Sequence, residues 1–181
     1  MRMLLAPLAA AASLASTSAF AVDYLSAEQA RRLIFPDADS FEPHDIALDA
    51  SQMQALAANG VPARSARWPV QVAKRGGSTL GYVVVDEVIG KFELITYAVG
   101  LNADGTVRQV EVLSYRESHC HEIRLPAWRR QFIGKTGASP LRVGEDIANI
   151  SGATLSCTHI TDGVRRIVAV LGLARRTGAL S

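Results

Sequence analysis

Apolar residues in the middle of the chain fall in runs with a β signature. Tyr82, Val83, Val84 and Val85 form the first run, Phe92, Leu94, Ile95, Tyr97 and Val99 the second, and Val107, Val110, Val112 and Leu113 the third. β-branched and aromatic side chains suit a pleated, half-buried surface, so each run predicts a strand. Gly90-Lys91 and Asn102-Ala103-Asp104-Gly105 separate them with turn residues, which predicts a three-stranded antiparallel meander from Thr79 onward. Farther along the period changes. Ile160, Val164, Ile167, Val168 and Leu171 recur at helical spacing and predict a last helix that lays one apolar face on the sheet. Between sheet and helix, residues 126–133 (PAWRRQFI) read as a short helix with Pro126 in its first turn, and 134–144 as a loop.

The N-terminal third is patterned differently. Ser26-Ala27-Glu28-Gln29 is a capping box, and it opens a short helix that carries Ala30, Leu33 and Ile34 and ends before Pro36. A second short helix is expected over Ser51–Ala58, closed by Asn59-Gly60 and followed by Pro62. The intervening PDADSFEPHD reads as a turn-rich connection. The fold class that follows is α+β: an antiparallel β meander packed against a C-terminal helix, with short N-terminal helices. Residues 22–75 form the helical segment and 76–181 the main domain.

Residues 1–21 form a leader: one basic residue, an Ala/Leu-rich stretch, then Ala19-Phe20-Ala21, which fits the small-x-small cleavage rule. Pro7, Ser13, Ser16, Thr17 and Ser18 dilute it below a membrane span. Cleavage after Ala21 and export to the periplasm are therefore expected. The formal net charge of +2 falls to +1 when Arg2 is removed, too weak a field to draw nucleic acid. Arg165, Arg166, Arg175 and Arg176 on the last helix read as a solvated or dipole-compensating face. Cys120 and Cys157 are the two cysteines. Export permits a bridge between them, worth about 3 to 4 kcal/mol on chain-entropy grounds, and thiols beside a cofactor are the alternative.

Chemistry enters with Ile150-Ser151-Gly152-Ala153-Thr154-Leu155-Ser156, set directly before the amphipathic helix. The first amides of a helix lack partners inside it and carry partial positive charge, so small residues there let a phosphate come close. Taken alone, Ser151 and Gly152 are equally the makings of an ordinary N-cap. The longer stretch ISGATLSCTHITDGV resembles the FMN-binding domain family, which includes the flavin-carrying subunits of sodium-pumping NADH:quinone reductases and of Rnf-type complexes. The resemblance covers residues 76 to 171. It implies FMN as cofactor, held at Ser151, Gly152, Ala153, Thr154, Leu155 and Ser156, and it aligns Thr154 with the residue that a flavin transferase esterifies through the FMN phosphate, consuming FAD. It further implies membrane-bound or periplasmic redox partners. One departure stands out: the transferase pattern has Asp six residues before the modified Thr, and here that position is Ala148, with Asp146 and Asn149 out of register.

For the flavin ring, the family segment after the third strand corresponds to Tyr115–Glu122, where only Glu117 and the Ser118 hydroxyl agree with it. Glu117 and Trp128 are the ring-side candidates. Trp128 and Tyr115 serve equally well as core residues. His119, Cys120 and His121 also suit a metal, with His44, His159 and Cys157 as further donors, although no His-Glu-x-x-His spacing is present. No Gly-x-Ser-x-Gly marks a hydrolase. The leading reading is an exported FMN-binding electron carrier, and the alternatives are a metal-binding periplasmic module and an FMN-dependent reductase with a small substrate.

Overall fold

Ser26 accepts from the Gln29 backbone N–H at 3.1 Å while the Gln29 side chain accepts from the Ser26 N–H at 2.8 Å, so the first helix opens on the capping box its sequence spells. The structure, a computed structural model, describes residues 24–115 and 121–180. The leader at 1–21, Glu117, Ser118, His119 and Cys120 lie outside the described residues, as do the side chains of His121 and Glu122.

Helix α1 (Ala27–Ile34) buries Ala30 and Ile34. Leu33, which the helix also carries, is half exposed, because so short a helix buries only a narrow stripe. Asp49 caps α2 (Ala50–Ala58) through the Gln52 amide. The sheet has five strands in sequence order, all antiparallel: β1 (Ser40–Ala47), β2 (Arg67–Arg75), β3 (Ser78–Ile89), β4 (Leu94–Asn102) and β5 (Val107–Tyr115). The last three are the expected meander.

Two strands lie where helices and turns alone were expected, in the 22–75 segment. β1 carries Glu42, Pro43, His44 and Asp45, residues that speak against a central strand. It is an edge strand, paired on one side only with β2, and an edge tolerates proline and charge. In β2 the alternation Trp68, Val70, Val72 faces the core, but Pro69 and flanking Arg67 and Lys74 mask it. β2 pairs directly with β3, so the sheet runs straight across position 76.

The strand period of two divides the side chains between two layers. Tyr82, Val84, Val88, Tyr97, Val99, Leu101, Val110 and Val112 join the larger core with Ile160, Val164, Ile167, Val168 and Leu171 of α4 (Thr154–Arg176). Val83, Ala98 and Leu113 point to the other face and pack under Ile34 and Phe35 beside α1. Pro126 opens the short helix α3 (Pro126–Arg129), continued by a 3₁₀ turn over Arg130–Phe132. Among the described residues no helix is long and apolar enough to cross a membrane.

Candidate functional site

Helix α4 begins without a side-chain cap. Its N-cap is Ala153, whose side chain makes no capping bond. Ser151 therefore is not the N-cap. It belongs instead to a turn, closed by the Ala153 N–H donating to the Ile150 carbonyl at 3.0 Å, with Gly152 at φ 84°. Glycine enters that left-handed region without a Cβ penalty, which explains its place before any ligand is considered. The first helical bond follows at once, from the Cys157 N–H to the Ala153 carbonyl at 2.9 Å. The turn thus delivers the chain into a helix start of the kind that receives an anion.

The loop before this turn is pinned from α3. Arg129 fixes α3 to β5, donating to the Val110 carbonyl at 2.9 Å and pairing with the buried carboxylate of Glu111. From that base the Trp128 indole N–H donates to the Ala148 carbonyl at 2.8 Å, and the Ala148 N–H donates to Gln131 Oε1 at 2.8 Å. Gln131 is itself anchored, its amide donating to the Trp128 carbonyl at 3.1 Å. Both backbone groups of Ala148 are satisfied, so residue 149 starts from a fixed point. Asn149 Nδ2 then donates to Thr154 Oγ1 at 3.0 Å. One turn upstream, Asp146 pairs with Lys135 at 2.8 Å and accepts from the Arg142 N–H at 2.9 Å. Partial burial pushes the Asp146 carboxyl up, but the Lys135 ammonium and the Arg142 and Leu141 amides outweigh it and hold the pKa below the usual value.

Ser151, Gly152 and Thr154 are exposed, and Leu155 keeps 48 % of its surface in solvent. Ala153 and Ser156 turn inward and are buried. Trp128 is buried too, edge-to-face with Phe132 at 5.1 Å, and reaches the motif through the Ala148 carbonyl. Tyr115 is a core residue. Gln131 and Lys135 were not singled out from sequence, and Asn149 only as out of register with the transferase pattern: their roles depend on a turn and a helix meeting, and no local pattern announces that.

The motif lies at the end of the sheet where β3 stops, β4 starts and β5 finishes, since Ile89 pairs with Leu94 and Ile95 with Tyr115. His159 reaches the Ile89 carbonyl with Nδ1 and ties α4 to that end. Val85, Ile89, Phe92 and Leu94 of the β3–β4 hairpin are large apolar residues left exposed there. Behind it, Gly163 lets α4 sit against the Tyr97 ring, whose hydroxyl donates to Asp86 Oδ2 at 2.9 Å while Arg64 pairs with the same carboxylate. Burial, then the Asp86 charge, pushes the Tyr97 hydroxyl far above its ordinary pKa. Three of the four α4 arginines are not a free face, while Arg176 is exposed. Arg165 donates to the Gly60 carbonyl at 2.6 Å, Arg166 to Pro62 at 3.1 Å and Arg175 to Asp104 at 2.6 Å, so they clamp loops to the helix.

Among the described residues no group of three or more His, Cys, Asp or Glu is placed to hold a metal ion. His44 bonds the Ala179 carbonyl past the far end of α4, whereas His159 sits in its second turn, about 25 Å of helix away from that end at 1.5 Å per residue. Cys157 is buried.

The fold and this site define an α+β protein with an uncapped helix start, small residues and an exposed hydroxyl gathered at one end of an antiparallel sheet. Residues 90–169 match the FMN-binding domain family. The match takes in β4, β5, α3 and the Ser151–Thr154 tetrad. FMN is accordingly its cofactor. No curated protein matches the chain. Among solved structures, NqrC of Shewanella oneidensis superposes with a TM-score of 0.51 at 18% identity, covering 80% of this chain and 88% of that one. The corresponding component of the Na⁺-translocating NADH-quinone reductase from Parabacteroides distasonis aligns at TM-score 0.45 and 16% identity, over 77% of each chain.

The residues present fit the phosphate end of FMN. Gly152 carries no side chain, α4 opens without a side-chain cap, and the exposed residues Ser151 and Thr154 stand in the turn and at the first position of the helix that follows it. When bound, the flavin supplies the redox chemistry, and the chain supplies its position and surroundings.

Proposed function

We propose that this protein is an exported electron carrier whose FMN is joined to Thr154 through a phosphoester and serves membrane-associated redox partners. The observation that carries the reading is Thr154 itself. Its hydroxyl is exposed at the uncapped start of a 23-residue helix, inside the segment matched to the FMN-binding domain. A phosphate there gains from the helix dipole and backbone donors, and Thr Oγ is the one atom of that side chain able to form the ester. The fold likeness to NqrC supports partners of the membrane redox kind, and the leader at 1–21 supports a periplasmic location.

Co-expression with a flavin transferase, followed by intact-mass measurement of the exported protein, tests this directly. The expected result is the polypeptide mass plus one FMN less water, lost in Thr154→Ala and kept in Thr154→Ser. An unmodified polypeptide whose flavin leaves on denaturation would reject the covalent link and keep the FMN site.

A further inference from the structure

Asn149 lies four residues before Ala153, the N-cap of α4, outside the position from which an asparagine oxygen accepts from first-turn amides. Here α4 has no side-chain cap, and the Asn149 amide is spent on a side chain, donating to Thr154 Oγ1 at 3.0 Å. Both residues are exposed, a setting in which a threonine hydroxyl would otherwise choose among rotamers. The bond selects one. It is also rigidly based, since the backbone just before Asn149 is held on both sides by Trp128 and Gln131.

Resting on the reading of Thr154 as the attachment point, we infer that Asn149 is a positioning residue that presents the Thr154 hydroxyl for FMN transfer, in a chain whose position 148 is alanine. In that step Thr154 Oγ attacks the FMN-side phosphorus of FAD. A new O–P bond forms, the pyrophosphate P–O bond breaks, AMP leaves with the bonding electrons, and the hydroxyl proton passes to solvent. An N–H donor suits each stage. It occupies one lone pair of Oγ and leaves the other free for attack. As Oγ loses its proton it becomes a stronger acceptor and the bond tightens, and the amide is neutral, so it does not repel an incoming pyrophosphate as a carboxylate would.

The test measures flavin transfer to the full exported chain by a purified transferase with FAD, scored by intact mass at several acceptor concentrations. Asn149→Ala and Asn149→Asp are compared with the parent, and each unmodified protein is melted. Both variants should transfer FMN about tenfold more slowly, with the loss in kcat and the KM for the acceptor unchanged. Their melting temperatures should stay within about 3 °C of the parent, as expected when one exposed hydrogen bond is removed. Parental rates in Asn149→Ala, a loss confined to KM, or Asn149→Asp at or above the parental rate would overturn the positioning role. If the parent itself accepts no FMN, the covalent reading fails first, and that result is distinct from any difference among the variants.

Discussion

At Gly152 two physical demands coincide, and they can be separated. The backbone stands at φ 84°, where any branched side chain is strained, and the same position borders the space a phosphate needs. Gly152→Val should therefore lose both flavin and stability, by about 1 to 3 kcal/mol on the strain alone. Gly152→Asn is the sharper probe, because asparagine tolerates the left-handed region. It should melt within about 3 °C of the parent and still bind no FMN, as read from flavin absorbance after gel filtration. Full flavin occupancy in the asparagine variant would move the phosphate away from this turn.

Elements hold the site in place through a few close contacts, and these have measurable consequences. At Gly163 a Cβ would collide with the Tyr97 hydroxyl and lie 2.8 Å from its Cζ, a group fixed by Asp86 and unable to retreat. Gly163→Ala should lift α4 from the sheet and cost about 1 to 3 kcal/mol in urea unfolding, despite the better helix propensity of alanine. The loop before the motif responds to acid. The Asp146 pKa is lowered in the fold, so its pairing with Lys135 stabilises the native state above the unfolded carboxyl value near 4, and this contribution is lost as pH falls through the lower folded value. Asp146→Asn should thus be less stable than the parent at pH 7, and the gap should narrow progressively as pH falls below about 4. A gap that does not change with pH across the acid range would show that packing, and not charge, is what Asp146 contributes.

For the molecule as a whole, what could be read from sequence divides along a physical line. The helices with local signals were legible: the Ser26–Gln29 box, Pro126 at a helix start, and the spacing of Ile160, Val164 and Leu171. So was the place of residues 151–154 at the start of the last helix. β1 was not, because Glu42, Pro43 and Asp45 are tolerated only through an edge position that the local sequence does not reveal. Arg165 and Arg166 looked like a solvated face, and only the folded chain brings Gly60 and Pro62 beneath them. The Asn149–Thr154 bond belongs to the same class, since five residues of separation say nothing until the turn at Gly152 folds them together. At this scale the export reading has its own check: N-terminal sequencing of the mature protein should begin at Val22. A mature protein that retains Met1 in the cytoplasm would refute it.

The Ala148 clamp has a consequence for how the protein matures. Trp128 and Gln131 reach Ala148 from 20 and 17 positions away, and Thr154 opens the last element of the chain. An incompletely folded polypeptide offers a transferase the same tetrapeptide but no anchored, presented hydroxyl. Were Thr154 the attachment point, loading with flavin would act as a checkpoint, and the covalently yellow fraction of a population would be a stamp counting the molecules whose assembly had reached this last helix.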